Sequence, residues 1–313
     1  MPPTPTDASA HNQPSPLALQ PRQWTALIMG TIGVAMFAGT LPATRLALEG
    51  FDPVFITFAR AFFAGVAATT LLVLTGRARP TKADVPQFAA IALCLVVGFP
   101  LFTGLAMEHV PASHGGVVLA ILPLGTAIAA AVVGGERPGK AFWAVSALGG
   151  LVVLVFSLSD SGWAVRWGDV FLVAAAASAA LGYALSGRLT RRMPGWVVIS
   201  WALVLSLPFS AIGSLATLPE VWPTAGHVWA GLAYLSLVSM LLGFFFWNTA
   251  LALGGVAKIG QLQLLQPFFT LAIAALVAGE VFQIRQAAFA VAVVVIVATA
   301  QRLRVAGAPP LQR

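Results

Sequence analysis

Charge is what this sequence has least of. Only 9% of its 313 residues are Asp, Glu, Lys or Arg, against roughly 25% in soluble globular domains. Ten carboxylates and 17 basic side chains cannot coat a water-facing surface of this size, and 59% of the residues are apolar. Soluble two-domain folds, secreted disulfide scaffolds and disordered chains are thereby excluded. Cysteine is nearly absent too: Cys94 is the only one, so neither an intramolecular disulfide nor a Cys-based metal cluster can form. It stands in an apolar run (Ala92-Leu93-Cys94-Leu95-Val96) as a small packing residue. The sequence also lacks a basic patch. Its net charge is +7, but the basic residues fall singly or in pairs between apolar stretches, which argues against nucleic acid as a partner. No Walker A motif, HExxH or DDxxD-like cluster is present, which argues against ATP-driven transport by this chain and against the common membrane enzymes. Finally, no Asp or Glu lies deep within an apolar stretch, so no proton relay is evident.

What is there is a series of apolar stretches of about 20 residues, the length at which a helix spans the hydrocarbon core. Mean hydropathy is +0.90. Ten spans are expected, at 24–46, 54–75, 86–107, 113–134, 141–159, 168–187, 196–216, 227–250, 257–278 and 283–302. The breaks carry Pro, Gly and charge, as in Gly50-Phe51-Asp52-Pro53 and Gly135-Glu136-Arg137-Pro138-Gly139. The runs are continuous rather than alternating, which excludes a β-barrel. Residues 1–21, rich in Pro, Ser and Thr and without an apolar run, are expected to form a disordered tail. Ten spans place 13 basic residues on one side, including Arg77, Arg79, Lys82, Arg188, Arg191 and Arg192. Only Arg45, Arg60, Arg166 and Arg285 fall on the other. By the positive-inside rule both termini are expected in the cytoplasm, as is the short tail 304–313.

A shift of 144 residues aligns 104–136 with 248–280 without a gap. Gly116 then matches Gly260, Pro123 matches Pro267, Thr126 matches Thr270, and Gly135-Glu136 matches Gly279-Glu280. The repeat unit holds five spans, an odd number, so the second copy is expected to insert upside down. Inverted repeats of this kind mark secondary transporters, which bind substrate near the midplane between the halves. Two five-helix units, each with a Pro in the fourth helix and Gly-Glu at its end, resemble the EamA-type exporters of the drug/metabolite transporter superfamily. The segment ITFARAFFAGVAATTLLV (56–73) is similar to the Arg-bearing second helix of that family. The resemblance covers about 24–303 and implies an all-α integral membrane protein with repeats at 24–159 and 168–303. It also implies an exporter of small organic solutes in the bacterial inner membrane. The second repeat departs from the first in one respect: Val204 stands opposite Arg60.

The candidate binding residues follow from the repeat. Pro123 and Pro267 lie ten residues into their spans, about 15 Å deep at 1.5 Å per residue. A helix-interior Pro leaves the carbonyl four residues earlier without its partner, here Leu119 and Gln263. Matched Pro-interrupted helices point to a binding site, with a packing kink as the alternative. Gly260, Gln263, Pro267 and Thr270 share one helix face with Gln266 beside it; the first-repeat face holds Gly116, Leu119, Pro123 and Thr126. The glutamines suit a polar substrate group at modest cost, or hydrogen bonding between helices. Thr40 with Pro42, Trp163, Tyr183 and Asn248 are further cavity candidates, Trp201 and Trp247 weaker ones. His114 and Lys258 begin equivalent helices as entry residues or interfacial anchors. His109 and His114 offer too few ligands for a metal site, and no metal or cofactor is expected. Arg60 is expected to be structural, paired with Glu49 or Asp52 or snorkelling outward. Glu136 and Glu280, at helix ends the dipole disfavours, are expected to cap or pair with neighbouring elements.

The reading these residues support is an inner-membrane exporter of small metabolites, amino acids first, working by alternating access. Its partners are a small-molecule substrate and the lipid bilayer. A cationic-drug exporter is the alternative within transport, weakened by the lack of a buried carboxylate. A membrane-embedded transferase using Glu108, His109 and His114 is the alternative from another class.

Overall fold

The computed structural model describes residues 21–77, 79–161, 167–278, 291–292, 295–296, 298–303 and 305–306. Trp163, Glu280, residues 1–20 and much of the expected tenth span lie outside the described residues. The chain is an all-α, multi-pass membrane protein. Six segments among the described residues are long and apolar enough to cross a membrane: Pro21–Leu48, Pro53–Leu74, Val85–His109, Trp167–Leu189, Gly195–Ala216 and Gly226–Gly254. Large apolar side chains face outward from them, Leu74 at 79% and Phe209 at 72% exposure, as a lipid-facing surface requires.

Several of these spans are interrupted. The first comprises α1 (Pro21–Ala38) and α2 (Thr40–Leu48), which part at Gly39. The second is the continuous α3 (Pro53–Leu74), started by Asp52, whose carboxylate accepts from Val54 N–H at 2.7 Å with Pro53 at the first helical position. The third runs α4 (Val85–Ile91), a π-helical turn (Ala92–Gly98) and α5 (Phe99–His109). The segment Gly226–Gly254, expected as the eighth span, repeats that plan with α11 (Gly226–Ala233), a π-helical stretch (Tyr234–Leu242) and α12 (Gly243–Gly254). The two π segments fall at equivalent places in the repeat. Between them lie α6 (Ala112–Val118), α7 (Leu122–Val132), α8 (Lys140–Ser161), α9 (Trp167–Leu189) and α10 (Gly195–Ala216). The expected ninth span holds α13 (Val256–Gly260) and α14 (Gln266–Ala278).

Both Pro-bearing helices of the repeat break in the same way. A 3-10 stretch joins α6 to α7 at Leu119–Ile121, and another joins α13 to α14 at Gln261–Leu265. This corrects the expectation that Pro123 and Pro267 leave carbonyls unpaired. Leu122 N–H donates to Leu119 O, and Gln266 N–H donates to Gln263 O. Tightening to i→i+3 bonds recovers each acceptor that the proline abandons.

The packing partners show how the repeats interlock. Helix α3 lies on α10 and α7 lies on α13; α1 packs on α12 as α5 packs on α9; α1 packs on α14 as α7 packs on α9. These contacts between the repeats are their own counterparts or come in matched pairs, the pattern expected of a pseudo-twofold relation. One buried apolar cluster runs through both repeats, including Phe37, Leu95, Leu172, Leu203, Trp247 and Leu264. A smaller cluster around Phe51, Phe55, Val228 and Leu235 closes one end. Near the opposite end Arg137–Pro138 pairs antiparallel with Val305–Ala306.

Candidate functional site

The crossing of α6–α7 with α13–α14 is built from the residues the repeat duplicates. A Cβ placed on Gly260 would stand 2.8 Å from Thr126 Cγ2, and one on Gly116 would stand 3.7 Å from Thr270 Cγ2. Each threonine therefore covers the glycine of the other repeat. Small residues let the two broken helices approach at the level of their 3-10 turns, where the polar side chains are concentrated.

Those side chains are buried and short of partners. Gln261 and Gln263 are 0% and 2% exposed, yet neither their amide nitrogens nor their amide oxygens have a hydrogen-bond partner among the described residues. Thr126 Oγ1, Trp247 Nε1 and Asn248 Oδ1 are in the same condition. The Tyr183 hydroxyl faces the Gln263 side chain without forming a well-aligned bond to it. An unsatisfied buried polar group costs about 1–3 kcal/mol, so a cluster of them is unusual in a packed interior. Such groups take their partners from water or from a bound solute.

An aromatic wall adjoins the amides. Phe37 packs on Phe244 at 5.0 Å and on Trp247 at 6.0 Å between ring centroids. Tyr183 lies 5.4 Å from Trp247 and 6.1 Å from Phe244. All four rings are nearly or wholly buried.

The break in the first span connects this wall to the ninth span and to Arg60. Pro42 removes the N–H that would have bonded to Ala38 O; Thr270 Oγ1 donates to that carbonyl instead, at 2.9 Å. Tyr234 Oη donates to Met36 O at 2.8 Å. Thr40 Oγ1 and Ser239 Oγ share a 2.8 Å hydrogen bond, and Arg60 Nη2 donates to Ser239 Oγ at 3.2 Å. Arg60 pairs with neither carboxylate proposed for it. Glu49 meets His227, and Asp52 is occupied by the start of α3. Arg60 is 2% exposed, so it does not snorkel outward either.

The remaining candidates separate into neighbours of this site and anchors elsewhere. Thr40, Thr126, Tyr183, Gln263, Gln266 and Thr270 are buried around the crossing, and Pro123 and Pro267 sit at its two breaks. Asn248 is buried at the start of α10, where its amide donates to Gly195 O at 3.1 Å. His114 pairs with Asp169 at the start of α9. Lys258 and Gln301 exchange bonds with each other's carbonyls, at 2.9 and 2.8 Å. His109 stacks on Phe171, and no metal-binding cluster occurs among the described residues. Gln261, Ser239, Phe37 and Phe244 were not singled out from the sequence. Only Gln261 carried a signal, as the first of the amides in QLQLLQ.

Glu136 caps the helix that carries the glutamines. Its two carboxylate oxygens accept from Val256 N–H at 2.7 Å and Ala257 N–H at 2.9 Å, at the start of α13. Gly135 (φ +70°) turns the chain into Glu136, and Gly255 (φ +83°) presents the opposing N–H groups; both conformations suit glycine. Burial pushes the Glu136 carboxyl above its ordinary range, against the lowering effects of the two N–H donors and of Arg191.

Comparison with known proteins agrees with this architecture. The model of the EamA-like transporter family matches twice, at residues 24–158 and 166–300. The uncharacterized transporter YdeK of Bacillus subtilis (strain 168) is 46% identical over 276 residues, covering 88% of this chain and 96% of its own. A probable terminal-alkyne amino-acid exporter of Streptantibioticus cattleyicolor is 30% identical, covering 79% of this chain and 84% of its own. The aromatic amino acid exporter YddG of Ancylobacter novellus is 28% identical over 174 residues, covering 54% of this chain and 60% of its own. A solved crystal structure shares the fold at a TM-score of 0.70 with 22% identity, over 88% of this chain and 97% of that one. A membrane-embedded transferase is thereby set aside. The chain belongs to the EamA-like transporter family, and it is a membrane transporter of small molecules rather than an enzyme.

Proposed function

We propose that this transporter exports amino acids across the bacterial inner membrane by alternating access of two inverted five-helix repeats. The distribution of basic residues supports cytoplasmic termini. The observation that carries the substrate reading is the pair of buried amides without partners among the described residues, Gln261 and Gln263, the second facing Tyr183, which packs on Trp247. Neutral amides offer both donors and acceptors, which suits a zwitterion, and the rings suit its apolar side chain. The names of two relatives, an amino-acid exporter of Streptantibioticus and an aromatic amino acid exporter of Ancylobacter, support the same class. Among the described residues the buried carboxylates are Asp84, held by Thr81 and Arg192, and Glu136, held by the N–H groups of Val256 and Ala257; that both are engaged in this way disfavours the cationic-drug alternative and a proton relay.

Reconstitution tests this directly. Proteoliposomes are loaded with radiolabelled amino acids, singly, with and without an imposed pH gradient. Transport of at least one amino acid above empty vesicles is expected, and persistence of transport without the gradient is expected as well. If none moves, the substrate reading falls. If the gradient is indispensable, the uncoupled mechanism falls and the substrate reading stands.

A further inference from the structure

We infer that Arg60, with Ser239 and Thr40, forms a carboxylate-binding subsite, so that this transporter takes carboxylate-bearing solutes and rejects the same solutes without that group. The inference rests on the exporter reading above and adds to it the group by which substrate is held.

Arg60 is an intramembrane cation that is 2% exposed and meets no carboxylate among the described residues. The two acidic residues nearest to it in sequence, Glu49 and Asp52, are committed to His227 and to the N–H of Val54. A guanidinium carries five N–H donors and keeps its charge. Here its acceptor among the described residues is a single hydroxyl, Ser239 Oγ at 3.2 Å, and Arg60 Nε has no partner among them. Burying an uncompensated charge is strongly unfavourable, and packing alone is served better by an apolar side chain. Val204 occupies the equivalent place in the second repeat, so the pseudo-symmetric contact of α3 with α10 does not depend on arginine.

The surroundings are those of a fork awaiting an acceptor. A planar guanidinium matches a carboxylate through two parallel bonds. Ser239 and Thr40, joined to each other at 2.8 Å, supply adjacent hydroxyls that donate as readily as they accept. Thr40 follows Phe37 by three residues at the break in the first span, and Phe37 packs on Phe244 and Trp247. One short segment thus joins the cation to the aromatic wall.

The test compares each solute with its own carboxamide. Purified full-length protein is titrated with the standard L-amino acids and their carboxamides, reading the thermal unfolding midpoint, and the same pairs are assayed for uptake in proteoliposomes. In the wild type, the acids that stabilise and move are expected to do so at concentrations about tenfold or more below their amides, the scale of one lost charged hydrogen bond. Arg60→Gln is expected to bring acid and amide together, and Arg60→Lys to retain part of the difference. The wild-type comparison needs no variant, so it decides even if Arg60→Gln does not fold. Equal response to acid and amide in the wild type, with transport intact, overturns the subsite and leaves the exporter reading standing. Wild-type discrimination retained by folded Arg60→Gln also overturns it. If no amino acid stabilises or moves, the exporter reading fails and the subsite fails with it.

Discussion

The Cγ2 methyl of Thr126 rests over Gly260, 2.8 Å from where a Cβ on that glycine would stand, while the equivalent Thr270 covers Gly116. A contact duplicated across the repeats sets the closest approach of the two broken helices. Gly260 lies three residues before Gln263, whose side chain the Tyr183 hydroxyl faces.

That contact is open to a mutant cycle. Gly260→Ala is expected to destabilise the protein by about 1–3 kcal/mol through overpacking. Thr126→Ser removes the methyl in the way, so the double variant is expected to recover part of the loss. Thermal unfolding in detergent measures both. Strict additivity would show that the threonine and the glycine do not meet.

Gln263 is expected to trade stability for transport. Gln263→Leu installs the residue that the first repeat carries at Leu119 and removes an amide with no protein partner. The unfolding free energy is expected to rise by about 1 kcal/mol while uptake falls. Gln266→Ala is expected to reduce uptake without reducing the yield of folded protein. Wild-type rates in both variants would remove these residues from the site.

Thr270→Val deletes the hydroxyl that donates to Ala38 O, the acceptor freed by Pro42. Hydrogen bonds between membrane helices average about 0.6 kcal/mol, and a loss of about that size is expected. Pro42→Ala restores the N–H within the helix, so it is expected to make Thr270→Val nearly silent. Unfolding of the four proteins compares the two costs.

Glu136 gives a pH dependence with a definite sign. Its carboxyl titrates above its ordinary range in the folded protein because burial outweighs the donors around it. The folded state therefore holds this proton more tightly than the unfolded chain does, and stability grows as pH falls from the raised value towards the ordinary one. The same increment is lost as pH rises through the raised value. Glu136→Gln lacks this term, so the wild type is expected to gain stability over the variant between neutral pH and about pH 4.5. A difference independent of pH would contradict the assignment.

Much of this architecture was legible before any coordinates. Spans follow from apolar runs about 20 residues long because lipid leaves backbone groups no other partner than their own helix. The repeat followed from spacing alone, and it singled out Gly260, Thr126, Pro267 and Glu136, which the fold then used at the crossing and at the start of α13. The π-helical turns at 92–98 and 234–242 were not legible. Their sequences, ALCLVVG and YLSLVSMLL, are ordinary apolar helix, and the inserted residue is a matter of packing against neighbours.

The sequence by itself determined that this chain is a duplicated helical membrane protein, because hydrophobic length and repeat spacing are local properties of the chain. It also determined which positions the two halves share. Only the tertiary structure decided what those positions touch. Arg60 was within reach of Glu49 and Asp52 by sequence distance, yet it lies against Ser239, which is 179 residues away. Glu136 caps a helix that begins 120 residues later. Such partners depend on how helices cross, and crossing is set by the fit of side chains such as Thr126 on Gly260, which no single stretch of sequence contains.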